Sequence, residues 1–284
     1  MRKILPIVFI TVLALTACSN DEEVDNSRKE VKIVATIGAT DGKTKAVFEN
    51  DGSGVFETGD RYTLIYKHPT EGNESKQPYE IGITNLYWED LTQYCDNSTV
   101  FFAWYPHFFY DGIAVPYKVA GAETEVAKDL LMAPPVTVAK GDPVNLQFKH
   151  VMHKLVIVLS SSLYSAAELD NAVITLKNLK SDAIVNFLDC TVDETAAEGT
   201  DSYTPKTGAS VSFIVAPQVL PAAGTGIIEI EIAGKSSTYK VSSGLTRLER
   251  GKALTLNLTL KEGGYVSGYV EEDFTPDGGW DEWN

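Results

Sequence analysis

Apolar residues recur at every second position over several short runs, the period that puts alternate side chains on one face of a strand. Val31, Ile33, Ala35 and Ile37 form the first such set. Tyr62, Leu64 and Tyr66 form the next, directly behind the turn residues Gly59-Asp60. Val211-Phe213-Val215 and Ile228-Ile230-Ile232 follow, the latter interleaved with Glu229 and Glu231. The cleanest case is Leu254-Leu256-Leu258-Leu260, alternating with Thr255, Asn257 and Thr259. Leu155 to Leu159 is continuously apolar, which predicts a strand covered on both faces. Gly-, Asp- and Pro-rich turns at 38–42, 50–54 and 221–226 separate the runs. Helical pattern is confined to Glu123–Met132 and Ser162–Leu169, each about two turns long. Many short strands with few helices predict an all-β sandwich architecture. One sandwich takes about 100 residues, so two fit the chain: 31–142 and 143–284, divided near Gly141-Asp142-Pro143.

The start of the chain follows another pattern. Arg2 and Lys3 precede an uncharged apolar run from Ile4 to Ala17. A spanning helix needs about 20 apolar residues, so the run fits a secretory signal peptide over residues 1–17. It closes on Leu15-Thr16-Ala17-Cys18, which resembles the lipobox of bacterial lipoproteins. That resemblance implies acylation of Cys18 and an anchor in a membrane, since each buried CH₂ contributes about 0.8 kcal/mol. Residues 18–30 then read as an acidic tether, with Asp21-Glu22-Glu23 close behind the lipid site. This acidic run is similar to the surface-export signal of Bacteroides-type lipoproteins and implies a place on the outer face of the outer membrane.

Composition narrows the function classes. The chain has 44% hydrophobic residues, enough to bury a core, and a net charge of -15. Nucleic acid binding depends on Lys and Arg neutralising phosphates, so so acidic a chain excludes that partner. Besides Cys18 only Cys95 and Cys190 remain. One disulfide between them suits an oxidising compartment, and sequence leaves open whether they pair.

Candidate chemistry is sparse. His150 and His153 have H-x-x-H spacing, but in a strand three residues apart means opposite faces, and no third ligand is near. His68 and His107 stand alone in expected loops. Asn50 to Gly54 resembles a calcium loop only superficially, because the alternating ligands and closing glutamate are missing. Nucleophile-elbow, Walker and dinucleotide motifs are absent from the sequence. No catalytic residue, metal or cofactor is expected. The aromatic stretch Phe101–Tyr110 is expected as core and loop packing, with a sugar-binding groove as the rival. Exposed Trp88, Trp104, Trp280 and Trp283 would then serve a surface glycan-binding lipoprotein.

Taken in order, several segments resemble the fimbrillin family of Bacteroides-type bacteria, whose members build pili. The lipobox is followed by the strand Val31–Ile37, then Thr44-Lys45-Ala46-Val47-Phe48, then Gly59-Asp60 leading into a strand. Trp88 precedes Phe101-Phe102-Ala103-Trp104-Tyr105-Pro106, and Lys128-Asp129-Leu130-Leu131 precedes Leu146-Gln147-Phe148-Lys149-His150. Val215-Ala216-Pro217-Gln218 and the strand Leu254–Leu260 complete the series.

The resemblance implies two transthyretin-like β-sandwich domains with short connecting helices. It also implies a non-enzymatic fimbrial subunit that partners other fimbrial subunits and serves adhesion to a host glycan or protein. In the family a protease cuts after a basic residue behind the first strand, and a strand from another subunit fills the groove. The matching bond here is Lys45–Ala46, and the displaced strand would carry Val31, Ile33, Ala35 and Ile37. Its loss would uncover roughly 5–9 kcal/mol of aliphatic burial. Tyr265, Val266, Tyr269 and Val270 mark the candidate donor strand. Lysine at 45 departs from the arginine of the best-known members. Either a protease of wider specificity acts, or the strand stays and the chain is a membrane-held anchor. Arg28 is the nearby arginine, but a cut there would spare the strand.

Overall fold

The computed structural model describes residues 28–38, 56–109, 112, 114–121, 128–262 and 266–271. Among these the regular secondary structure is almost wholly strand. The N-terminal part carries β1 (Ile33–Ile37), β2 (Arg61–Lys67), β3 (Glu74–Glu80), β4 (Ser98–Tyr105), β5 (Val115–Lys118), β6 (Leu131–Ala139) and β7 (Val144–His150). Next come β8 (His153–Ser161), the short helix α1 (Ala166–Asp170), β9 (Val173–Leu176), β10 (Asp182–Asn186), β11 (Thr191–Glu198) and β12 (Lys206–Thr207). The chain continues with β13 (Ser210–Val215), β14 (Gln218–Val219), β15 (Gly226–Ile232), β16 (Lys235–Lys240), β17 (Arg247–Leu248), β18 (Ala253–Leu260) and β19 (Val266–Glu271).

The largest sheet has six strands in the order β1-β7-β6-β4-β2-β3. Strand β1 runs parallel to β7, with Ile33 opposite Val144 and Ile37 opposite Phe148. Two four-stranded sheets, β13-β8-β18-β19 and β12-β9-β15-β16, build the rest with the smaller sheets β11-β10-β5 and β14-β17. Strand β7 follows the expected division at Asp142–Pro143, yet it is bonded into the sheet of β1. Strand β5 precedes that point and pairs with β10 instead. Strand pairing thus passes both ways across it.

Both faces of the six-stranded sheet are apolar. On one face Tyr62, Leu64, Phe101, Leu131, Leu146 and Phe148 pack under Leu86, Trp88 and Leu91 from the β3–β4 connection. On the other, Ile65, Phe102, Trp104 and Met132 join the large core built by β8, β13, β15 and β18. Period-two alternation in β2 predicts one buried face; the structure buries Tyr62 through Tyr66 without a break. A sheet sandwiched between two layers buries both faces of its central strands, which alternation does not reveal. Strand β8 shows the opposite departure. His153, Leu155, Ile157 and Leu159 are buried while the residues between them are half-buried.

The helix expected over Glu123–Met132 is corrected at its end, because Leu131 and Met132 begin β6. The helix expected over Ser162–Leu169 is corrected to a single turn, α1, which begins only at Ala166 and ends at Asp170. Its start is fixed by a capping box, in which Ser165 Oγ accepts from the Glu168 amide and the Glu168 carboxylate accepts from the Ser165 amide.

Candidate functional site

The strand singled out by sequence lies at the margin of the six-stranded sheet. Its alternate residues face the core beneath Trp88: Val31 and Ile37 are buried, and Ile33 and Ala35 are half-buried against it. Val34 points away from that core and is exposed. Beyond β1, Gly38 donates its amide to the Phe148 carbonyl at 3.1 Å, and the Gln147 side-chain amide donates to the Gly38 carbonyl at 3.1 Å. Phe148 itself sits in an aromatic cluster with Phe56 and Tyr62, at centroid separations of 4.8 and 5.2 Å.

Ahead of β1, residues 28–31 are fastened to the 3₁₀ turn Trp88–Leu91. The Val31 amide donates to the Leu86 carbonyl at 2.8 Å, and the Trp88 amide donates to the Lys29 carbonyl at 2.9 Å. The Lys29 amide donates to Glu89 Oε2 at 2.9 Å. The Arg28 guanidinium pairs with both carboxylate oxygens of Asp90 and lies over the Tyr87 ring, 4.2 Å from its centroid. Sequence reasoning missed this contact. About sixty positions separate its partners, and no periodicity links a tether residue to a distant turn.

The second candidate strand is a different object. Val266, Tyr269 and Val270 belong to β19, which pairs antiparallel with β18 from Leu260↔Val266 to Thr255↔Glu271. Val266 packs against the large core. The two strands therefore lie in separate sheets. Cys18, Lys45, Ala46 and Tyr265 lie outside the described residues, as do Trp280 and Trp283.

Several other residues are placed differently from expectation. Trp88 and Trp104 are each only 1% exposed, which removes both from any exposed sugar-binding surface. They are core because their rings pack on Phe101 and Phe187, at 5.9 and 4.9 Å. Cys95 and Cys190 are both free and buried, one in each core. Burial pushes the Cys190 thiol well above its ordinary range, so it is an inert packing group.

His150 and His153 end one strand and begin the next. His150 Nδ1 meets Asp129 Oδ2 at 2.8 Å, while His153 Nδ1 meets the Glu249 carbonyl at 2.8 Å. Among the described residues no group of three His, Cys, Asp or Glu is placed to hold a metal. A hydroxyl–imidazole–carboxylate chain is formed where Thr70 Oγ1 and Asp96 Oδ2 each lie 3.3 Å from His68. His68 Nδ1 already accepts the Thr70 and Glu71 amides, at 3.3 and 3.0 Å. That nitrogen is consequently held as an acceptor stapling a turn, and its geometry is that of a loop brace rather than a poised base.

Comparison with known proteins resolves the family. The model of the fimbrillin-like family matches residues 16–272. This chain belongs to the fimbrillin-like family. Among curated proteins none matches it. A candidate cell adhesion protein of Bacteroides uniformis shares the fold, with a TM-score of 0.62 at 19% identity over 87% of this chain and 99% of that one. A second, from Bacteroides ovatus, superposes with a TM-score of 0.59 at 17% identity, covering 86% and 98% of the two chains. A third, from Bacteroides thetaiotaomicron, gives 0.54 at 19% identity, with 85% and 98% covered. At these identities the likeness is one of fold: the fimbrillin-like chain has the same arrangement of sheets along nearly its whole described length.

Proposed function

We propose that this chain is a structural subunit of a surface fimbrium, without an active site, that serves adhesion. It is exported as a lipoprotein acylated at Cys18, carried to the outer face of the outer membrane, and joined to other subunits by strand replacement. Membership of the fimbrillin-like family supports the fimbrial part of this reading.

The observation that carries the strand-replacement part is the seat of β1. It is a short marginal strand whose alternate residues fill the core beside Leu146 and Phe148. Removing it would bare the backbone of β7 and an apolar trench. With Val31 and Ile37 buried and Ile33 half-buried, the uncovered burial is about 4–7 kcal/mol, at 1.5–3 kcal/mol per fully buried aliphatic side chain. That is a strong drive toward a replacement strand of alternating apolar residues. The segment from Tyr265 to Val270 is the proposed donor, acting in trans after release from β18. Cleavage between Lys45 and Ala46 is the proposed trigger.

A second reading shares the same fold: an uncut chain, lipid-held at Cys18, that terminates the fibre at the membrane. Lysine at 45 favours it wherever the processing protease requires arginine. Mass spectrometry of the mature N-terminus, on protein taken from the cell surface, separates the two. A start at Ala46 supports the polymerising subunit, and fibres should then form from chains trimmed after Lys45. A start at acylated Cys18 supports the anchor. Chains trimmed at Ala46 that remain monomeric would remove strand replacement altogether.

A further inference from the structure

The segment ahead of β1 is fastened by several groups of the connection between β3 and β4. Trp88 is buried and fixes the turn in place. From that turn Glu89 and Asp90 project to the surface, one accepting the Lys29 amide and the other receiving Arg28 Nη2 on both its carboxylate oxygens. Tyr87 supplies a ring under the same guanidinium and a bridge partner for Glu30. The Lys29 side chain is also placed. Its Nζ lies where a Cβ on residue 141 would stand, a position that Gly141 leaves open.

We propose that Tyr87, Glu89 and Asp90 form a latch that shields the Arg28–Lys29 and Lys29–Glu30 peptide bonds from trypsin-like proteases. Processing is thereby directed behind the first strand rather than ahead of it. The inference deepens the strand-replacement reading, because a cut at Arg28 would release the lipid tether while leaving β1 in its groove.

The physical basis is what such a protease requires. It binds several residues in extended form and takes the basic side chain before the cut bond into an acidic pocket. Here the Arg28 side chain is already occupied, its Nη2 on the Asp90 carboxylate and its guanidinium plane over the Tyr87 ring, a stacked site that suits arginine better than lysine. The backbone at residues 29 and 31 is committed to Glu89, Trp88 and Leu86. Cleavage must wait for local opening, so its rate follows the population of the open form. Each contact alone is weak at an exposed site, and the latch acts through their sum. The same carboxylates are dispensable to the core, since Glu89 and Asp90 are exposed.

The test is a trypsin time course on the folded full-length chain and on the double variant Glu89→Ala, Asp90→Ala, with near-ultraviolet circular dichroism confirming that both are folded. A free peptide spanning residues 24–34 serves as the unprotected reference. Cleavage after Arg28 or Lys29 should be at least about tenfold slower in the wild type than in the variant. In the variant it should approach the peptide's rate. High salt should narrow the difference by speeding the wild type alone, relative to the peptide. Equal rates in wild type and variant would overturn the latch, as would a wild type cut as fast as the peptide. Fibre formation plays no part in this measurement, so the latch and strand replacement stand or fall separately.

Discussion

Two parallel pairings, one at the edge of its sheet and one at the centre of another, behave differently. In the first sheet β1 lies parallel to β7, and among the described residues nothing pairs along its far side. In the other, β18 lies parallel to β8 and is covered on its far side by β19. The consequence is visible in burial. Leu254, Leu256, Leu258 and Leu260 are all buried, whereas the middle of β1 is only half-buried and Val34 is exposed. A strand flanked on both sides has the backbone groups of both edges hydrogen-bonded and its apolar face sealed. A marginal strand has neither. The other margin of the first sheet is guarded differently. Strand β3 carries Pro78, Lys76 and terminal glutamates, devices that discourage strand addition, while Ile33 to Ile37 has no charge and no proline. One edge of this sheet carries residues that discourage strand addition, and the other carries none.

The largest expected effect lies on the covered pairing. Leu256→Ala or Leu258→Ala empties a site of 0% exposure in a central strand. Each should cost about 3–5 kcal/mol, allowing for the residual cavity. Urea unfolding followed by tryptophan fluorescence checks this, and a loss below about 1 kcal/mol would break the contrast with β1. Amide exchange should agree: β18 amides should exchange only with global unfolding, and those of β1 through local opening.

Acid should act on the same pairing. His153 begins β8 beside β18, its Nδ1 bonded to the Glu249 carbonyl ahead of β18 and its Nε2 buried without a partner. Burial pushes this imidazole down to about 4, with the Glu249 hydrogen bond opposing the shift. An unfolded histidine titrates near 6.5. The unfolded chain therefore takes up the proton first as pH falls, and the stability held above pH 6.5 is lost on the way to about 4. The loss is about 3 kcal/mol if His153 keeps its full shift. Comparing urea midpoints at pH 7 and 4.5 in wild type and His153→Asn isolates the term. The variant should start lower and depend less on pH. Equal pH dependence in both would assign the acid sensitivity to carboxylates.

A smaller effect concerns the cover strand. Gly268 in β19 faces Leu258, and a Cβ there would stand 2.6 Å from Leu258 Cδ2 and 3.1 Å from a Tyr239 ring carbon. Gly268→Ala forces β19 outward or displaces both side chains, at about 1–3 kcal/mol. If β19 is also the proposed donor, the substitution weakens its hold on β18 and should ease its release. A thermal melt and limited proteolysis after Leu260 measure the two consequences.

How far sequence anticipated these regions depends on what faces each strand. Leu254–Leu260 and Val31–Ile37 alternate because one side meets the core and the other does not, so both were legible. Strands β2 and β4 are covered on two faces by different layers, and their periodicity conveys nothing about the second. Leu131 and Met132 read as the end of a helix because a short apolar run before Pro134-Pro135 carries no period of its own. The aromatics at 101–104 were expected as core, and burial of Trp88 and Trp104 extends this to residues also considered as sugar contacts. Cys95 and Cys190 could be placed only by the fold, which puts them in different cores. Arg28 and Asp90 meet through tertiary geometry alone.

The smallest effect is the sharpest test of the comparison. Ile33 faces the core from β1 but is only half-buried, and its neighbour across the pairing is Val144. Truncating it to alanine removes the same kind of side chain as Leu256→Ala. The site is already partly hydrated, though, and a marginal strand can settle inward to close the gap. The expected cost is about 1 kcal/mol, well under that at Leu256. With β1 expected to open locally, much of that loss should appear as faster exchange of the Val34 to Ile37 amides and less as a lower urea midpoint. A cost of 3 kcal/mol or more, seen wholly in the midpoint, would mean that β1 is as integral to the fold as β18. Its removal would then unfold the subunit instead of opening a groove, and strand replacement would lose its structural basis.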